Sequence, residues 1–329
     1  MKKINFFILY FILVNIILAK ENFILPIVFY SPELGFAGGI IFKNLDKKET
    51  MLISNKISSF LTTNQYKSLN YNYNIKYFNN SRFNINLNYK DWLYDYYLNR
   101  KIIDDYNQKI IQIEINYNQK IIKKIYFKYG YNFSKIKINN NNFYLEKENI
   151  NSSGINFALN YENILIEKNM KNGEKLEITT NIYNKKLLSD QDYIKNTFDY
   201  RKYFNIKNNQ IRAQIMIKDI NGEVPFYLKY DLGSNTLIRG FTENKYLGNT
   251  FIGGQIEFEK NFNKRFTGVL FYGTGDTNDN FDNIDILNLK SAIGLGIKYI
   301  ISEDFKVRMD MGFASDGDKN MYINFSDAI

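Results

Sequence analysis

An arginine set in a long turn-rich stretch, followed by a strand that carries a glutamate, is the arrangement in this sequence best able to do chemistry. Arg239 stands between Leu237-Ile238 and Gly240-Phe241, and Glu257 lies downstream in the alternating segment Ile252-Gly253-Gly254-Gln255-Ile256-Glu257-Phe258-Glu259. A guanidinium and a carboxylate form a bidentate, charge-assisted pair, and away from water such a pair fastens one piece of chain to another. Catalysis is not indicated. The chain has no histidine and no cysteine, which removes His-dependent activation of a nucleophile, a Cys/His metal site and a disulfide framework. Gly38-Gly39 is not followed by the Gly-Lys-Ser/Thr of a phosphate-cradling loop. No catalytic residue, no metal ligand and no cofactor is expected, and the protein is read as a non-enzyme.

The elements that must position Arg239 and Glu257 read as strands. Leu69, Tyr71, Tyr73, Ile75 and Tyr77 alternate with Asn70, Asn72, Asn74 and Lys76; Asn79-Asn80 turns the chain; Phe83, Ile85, Leu87 and Tyr89 then alternate with Asn84, Asn86, Asn88 and Lys90. Period-two alternation places each set on its own face of a sheet. The pattern returns around Ile111, Ile125, Leu176 and Ile211, and again at Ile293-Leu295-Ile297 and Val307-Met309-Met311. Aromatics at 17% and only 3 prolines suit strands joined by polar turns. No internal stretch reaches the 18 or so continuous apolar residues of a membrane helix.

Strand length and the chemistry of the two faces point to a transmembrane antiparallel β-barrel, an all-β fold. The segments run about nine to eleven residues, the length a tilted strand needs to cross the hydrocarbon. One face is rich in Asn, Lys, Gln and Glu, as a wet lumen requires, and tyrosines recur near strand ends, as an interfacial girdle does. Segment counting gives about fifteen strands where an even number is normal, so the count is off by one. A soluble all-β secreted protein is the alternative. Residues 1–19, a short basic start and an apolar run ending at Ala19, read as a signal peptide that leaves a mature chain of 20–329. The net charge of +9 is spread along the chain, which suits solvated loops and lumen, and no nucleic acid partner is expected.

The longest connection, about 221–249, is expected outside the cell, because long loops lie on that face. Pro225, Phe226, Leu232, Leu237, Ile238 and Phe241 make it too apolar for a free loop, so it should fold into the lumen. There Arg239 needs a partner, and Glu257 faces inward with Gln255 and Glu259. Arg308 and Asp310, two apart on one inward face, are further candidate lumen charges placed to pair locally. The bland alternative makes Arg239 a hydrated lumen charge.

The stretch Val224-Pro225-Phe226, Leu237-Ile238-Arg239-Gly240-Phe241, Gly248-Asn249 and Glu257-Phe258 resembles the lid loop of the BamA/TamA family of outer-membrane barrels (the bacterial surface antigen superfamily). The glycine-rich run Gly35 to Phe42 similarly resembles the family's first barrel strand, reached with no room for a periplasmic POTRA domain after the signal. The resemblance implies sixteen strands, five of them after the loop, with the uncounted one before it, within 43–65 or 143–166; fourteen is the other even count. It implies Arg239-Gly240-Phe241 as the lid motif, Val224-Pro225-Phe226 as its start and Glu257 as the acid of the barrel wall that locks it. A second wall aspartate belongs to the family pattern, and here Gly273 holds that position, leaving Glu257 alone or with a substitute such as Glu259. Members usually end on an aromatic residue; Ile329 departs from this, with Phe325 nearby.

The function implied is insertion or translocation of proteins at the outer membrane of a Gram-negative bacterium, through a seam between first and last strands. Partners would be outer-membrane lipid, unfolded outer-membrane or surface proteins as clients, and a separate periplasmic protein. The competing expectation is a passive pore or structural barrel. An outer-membrane hydrolase would need the histidine that is missing.

Overall fold

A computed structural model describes residues 22–31, 35–78, 81–139, 148–167, 170–233, 237–302 and 305–324. The expected signal segment, the Asn79-Asn80 turn, Phe325 and Ile329 lie outside the described residues.

Alternation along the chain becomes a run of antiparallel strands. They are β1 (Asn22–Ser31), β2 (Gly35–Lys47), β3 (Met51–Thr62), β4 (Lys67–Tyr77), β5 (Arg82–Leu98), β6 (Lys101–Ile122), β7 (Ile125–Asn139), β8 (Glu148–Glu167), β9 (Met170–Tyr183), β10 (Tyr193–Ile206) and β11 (Asn209–Asn221). Two short strands follow within the long connection, β12 (Tyr230–Asp231) and β13 (Leu247–Gly248). Five more complete the described chain: β14 (Thr250–Asn261), β15 (Phe266–Asn278), β16 (Lys290–Ser302), β17 (Phe305–Ala314) and β18 (Lys319–Asn324). Strands β1–β11 and β14–β18 form one 16-stranded sheet in chain order, and β12 and β13 pair on their own. Strands fill both intervals where the sequence count fell short, as β3 and β8. One more, β1, precedes the glycine-rich stretch, which is therefore the second strand and not the first.

Polarity across the sheet is the reverse of a water-soluble protein's. On β14 to β17 the outward positions are Ile256, Phe258, Leu270, Ile293, Leu295, Ile297, Met309 and Met311, all exposed, with Ile293 62% accessible. The intervening positions Glu257, Glu259, Lys298, Arg308 and Asp310 are buried. Burying charges while leaving large apolar side chains on the outside is unfavourable in water, and it is the expected distribution where the outside is hydrocarbon.

The closed barrel expected from the sequence is not what forms. Among the described residues β1 pairs with β2 and β18 with β17, and no ladder joins β1 to β18. Closure needs a continuous, correctly staggered set of hydrogen bonds between the two edges. The first edge is a poor partner for it, because β1 carries Pro26, which has no N–H to donate. Among the described residues the sheet is therefore not closed by hydrogen bonds, although the cluster of Leu25, Ile27 and Ile41 packs against Ile301 of β16 and Val307 of β17.

Candidate functional site

The connection between β11 and β14 packs onto the inward face of the sheet through its apolar residues. Its first part holds Val224 and Pro225 and then a 3-10 turn, Phe226–Leu228, whose Phe226 ring meets Tyr96 and Tyr106 at 5.1 and 5.4 Å between centroids. Val224 packs against the same cluster. Two-residue pairing of Tyr230 with Gly248 and Asp231 with Leu247 then closes the connection on itself. Inside that closure Leu232, Leu237, Ile238, Phe241 and Tyr246 form a buried cluster with Phe251 of β14 and Ala292 of β16. The connection is a small folded unit seated on the sheet.

Arg239 is fully buried at the centre of that unit. One terminal nitrogen donates to Asp310 Oδ2 at 2.6 Å, and the other donates to Gln255 Oε1 at 3.1 Å and to Glu257 Oε1. Its guanidinium carbon lies 3.6 Å from the centroid of the Phe271 ring, a close cation–π contact. Arg308 holds the same two acids from the other side: Nη1 and Nη2 donate to Glu257 at 3.0 and 2.9 Å, and Nε donates to Asp310 at 2.9 and 2.7 Å. Two arginines and two carboxylates thus alternate, all four side chains with no solvent exposure. Each charge touches both opposite charges, while Arg239 Nε is buried without a hydrogen-bond partner among the described residues.

The sequence put Glu257 on the same face as Gln255 and Glu259, and the structure brings Arg239 onto Glu257. It does not bring Arg239 onto Glu259, the suggested substitute. That carboxylate is held by Arg212 at 3.0 Å and Lys298 at 2.5 Å. The second acid is Asp310 on β17, which sequence reasoning had paired only with Arg308. Gly273 has a different use: a Cβ there would stand 3.2 Å from the Leu237 carbonyl oxygen and 3.4 Å from Ile238 Cα, so the connection occupies the space a larger residue would need.

Backbone contacts tie the same segment to the last hairpin. Gly240 sits at φ +139°, a conformation that L side chains rarely adopt, and its N–H donates to the Tyr322 hydroxyl at 2.9 Å. Asn320 Nδ2 donates to the Gly240 carbonyl at 2.9 Å, and Thr242 N–H donates to Asp318 at 3.2 Å. A Cβ on Gly312 of β17 would collide with the Arg239 carbonyl, so close approach demands glycine there too. Further along, Lys245 bridges Asp316 at 2.6 Å and Asp318 at 2.8 Å, and Tyr246 donates to Asp316 at 2.9 Å. Burial works against the Lys245 ammonium, but the two aspartates outweigh it and hold its pKa above the ordinary lysine value. Tyr322, Asn320 and Asp316 carry no pattern that sequence reasoning could have singled out, since hairpin residues opposite a loop are not identified by spacing.

One carboxylate in the connection is set against its environment. Asp231 accepts from the backbone N–H groups of Asn244 at 2.7 Å and Gly233 at 3.1 Å. Removal from water nevertheless pushes its pKa up to about 8, with Glu243 adding repulsion. Among the described residues no cluster of acids could hold a metal ion.

Residues 54–326 match the Omp85 superfamily domain. No curated protein matches the sequence. Among solved structures, BamA from Haemophilus ducreyi lacking POTRA domains 1–3 is similar at 15% identity and a TM-score of 0.63, covering 92% of this chain and 68% of that one. CdiB from Acinetobacter baumannii is similar at 12% identity and a TM-score of 0.62, covering 93% of this chain, which spans 59% of the CdiB chain. At these identities the likeness is one of fold. The superfamily match takes in most of the sequence, and the chain belongs to the Omp85 superfamily.

Proposed function

We propose that this protein acts in the outer membrane of a Gram-negative bacterium, where it assists the insertion or translocation of other proteins. The exposed apolar face of the sheet sits in lipid. Residues 221–249 or so are a lid, Arg239-Gly240-Phe241 is the segment that seats it, and Glu257 with Asp310 and Arg308 is the lock. The edges of β1 and β18, which no ladder joins among the described residues, form the lateral seam, where an incoming strand can add.

The observation that carries this reading is the hydrogen bond from Gly240 to Tyr322. It joins the lid to β18 itself, so the position of the lid and the state of one seam edge are mechanically linked. Unfolded outer-membrane or surface proteins are the clients, and a separate periplasmic protein delivers them. The test is depletion of the chain in cells, with the wild type or Arg239→Ala restored at equal level. Loss of other outer-membrane proteins, repaired by wild type and only in part by Arg239→Ala, supports the assembly role. An unchanged membrane proteome with altered solute uptake contradicts it and favours a passive pore or structural role.

A further inference from the structure

Strands β10, β11, β14 and β15 lie side by side and are joined at one rim by two neighbouring short turns, 207–208 and 262–265. One hydrogen bond ties the turns together: Asn261 Nδ2 donates to the Asn208 carbonyl at 2.8 Å. The second turn is also held from within, since Asn263 Oδ1 accepts from the N–H groups of Arg265 at 2.8 Å and Phe266 at 2.9 Å. The tips therefore keep a spacing of about 10 Å, two strand intervals.

Four cations stand at this rim. Lys207, Lys264 and Arg265 are on the turns, and Lys260 is on the outward side of β14, opposite Asn209. All four are exposed, and none has an ion-pair partner among the described residues. The acids close by are engaged elsewhere: Glu174 of β9 is held by Lys202 and by the Tyr200 hydroxyl, both at 2.9 Å, and Glu259 faces inward to Arg212 and Lys298. Glu303 and Asp304, on the next short turn, lie outside the described residues.

Beside the cations runs an apolar shelf. Phe204, Ile206, Phe262 and Phe266 are 46%, 51%, 65% and 44% accessible. A Cβ on Gly268 would stand 2.7 Å from the Phe262 ring, so that ring covers the outer side of β15. Lys202 Nζ lies 5.6 Å from the Phe204 centroid, Lys260 Nζ lies 5.9 Å from that of Phe262, and Phe266 meets Tyr299 at 4.9 Å. The shelf continues the outward face of Ile256, Phe258 and Leu270 up to the turns. Apolar rings that end where ammonium and guanidinium groups begin match one kind of molecule, with acyl chains on one side and phosphate on the other. Four cations without a local acid are more than a single phosphodiester neutralises. We propose that this rim is a binding site for an anionic phospholipid with two phosphates, Lys207 and Lys260 holding one and Lys264 and Arg265 the other. Long connections lie on the opposite rim, so the lipid belongs to the periplasmic leaflet. An acidic protein has less reason to choose the site, because it would engage the turn tips and leave the rings uncovered.

The proposal rests on the reading that the apolar face sits in lipid and not on the assembly role, and its test needs no cells. The full chain in neutral detergent micelles is titrated with phosphatidylcholine, phosphatidylglycerol and cardiolipin, and with hexaglutamate, and bound molecules are counted by native mass spectrometry. Cardiolipin should be retained at about tenfold lower concentration than phosphatidylcholine, with phosphatidylglycerol between them. Lys264→Ser with Arg265→Ser should abolish most of that preference. Lys185→Ser with Lys186→Ser, an equal loss of charge from exposed positions on the opposite rim, should leave it unchanged. Should the first variant fail to fold, Lys207→Asn with Lys260→Ser is read in its place. Equal retention of the three lipids, a preference unchanged in the rim variants or lost equally in the control, or uptake of hexaglutamate in place of cardiolipin would overturn the proposal.

Discussion

The backbone N–H of Gly240 donates to the hydroxyl of Tyr322, 2.9 Å away, and so joins the middle of the long connection to the last described strand of the sheet. Around that bond the four-charge cluster fixes the same segment laterally. Loop, wall and edge strand therefore form one mechanical unit, and its parts make separate predictions.

Arg239→Ala leaves Glu257 and Asp310 sharing a single buried arginine. The expected loss is about 3–5 kcal/mol in docking of the proposed lid, the usual penalty for breaking a buried pair by removing one partner. Hydrogen exchange in residues 237–242 should rise accordingly. Combining Arg239→Ala with Glu257→Gln restores charge balance, with Arg308 facing Asp310, and should protect the segment better than Arg239→Ala alone. Greater exchange in the double variant would show that net charge is not what governs docking.

Arg239→Lys keeps the charge and loses the fork. An ammonium cannot reach Asp310, Gln255 and Glu257 together, so this variant should fall between wild type and Arg239→Ala in the same exchange measurement.

Tyr322→Phe removes the hydroxyl and leaves Gly240 N–H without its acceptor. The expected destabilisation of the docked lid is about 1–3 kcal/mol. Because Tyr322 lies on β18, exchange should rise both at 237–242 and along Lys319–Asn324; a rise in only one of them would separate lid from edge strand.

Asp231 gives the proposed lid a pH dependence. Its pKa in the docked state is raised from 3.8 to about 8, so the docked lid favours the protonated acid. The sign follows from linkage: this stabilisation is fully present below about pH 4 and is lost as pH rises through about 8. Exchange at 237–249, corrected for intrinsic rates, should therefore increase between these limits. Asp231→Asn should flatten the profile and leave the lid better protected at the alkaline end.

The strands themselves were legible because alternation is a local property. Tyr71 and Asn72 differ in face whatever the rest of the chain does, and the same logic set Glu257 apart from Ile256 and Phe258. Closure was not legible. Whether β1 and β18 meet depends on register accumulated over the whole sheet, and on local obstacles such as Pro26 whose weight no periodicity conveys. For the same reason Asp310 was read as a partner of Arg308 alone. Its approach to Arg239 depends on how β17 lies against a loop 71 positions earlier, a relation that spacing does not encode. Gly273 illustrates the converse case: read as a missing acid, it is space filled by Leu237 and Ile238.

The most direct test of the lid is to lock it. Thr242 and Asn320 meet at 3.5 Å between side-chain atoms, and the chain has no cysteine of its own. In cells whose only copy carries Thr242→Cys and Asn320→Cys, oxidation should bond the lid to the last hairpin and deplete other outer-membrane proteins, and reduction should restore them. A disulfide that forms in full while the membrane proteome stays unchanged would contradict the account, because the lid would then have no need to move.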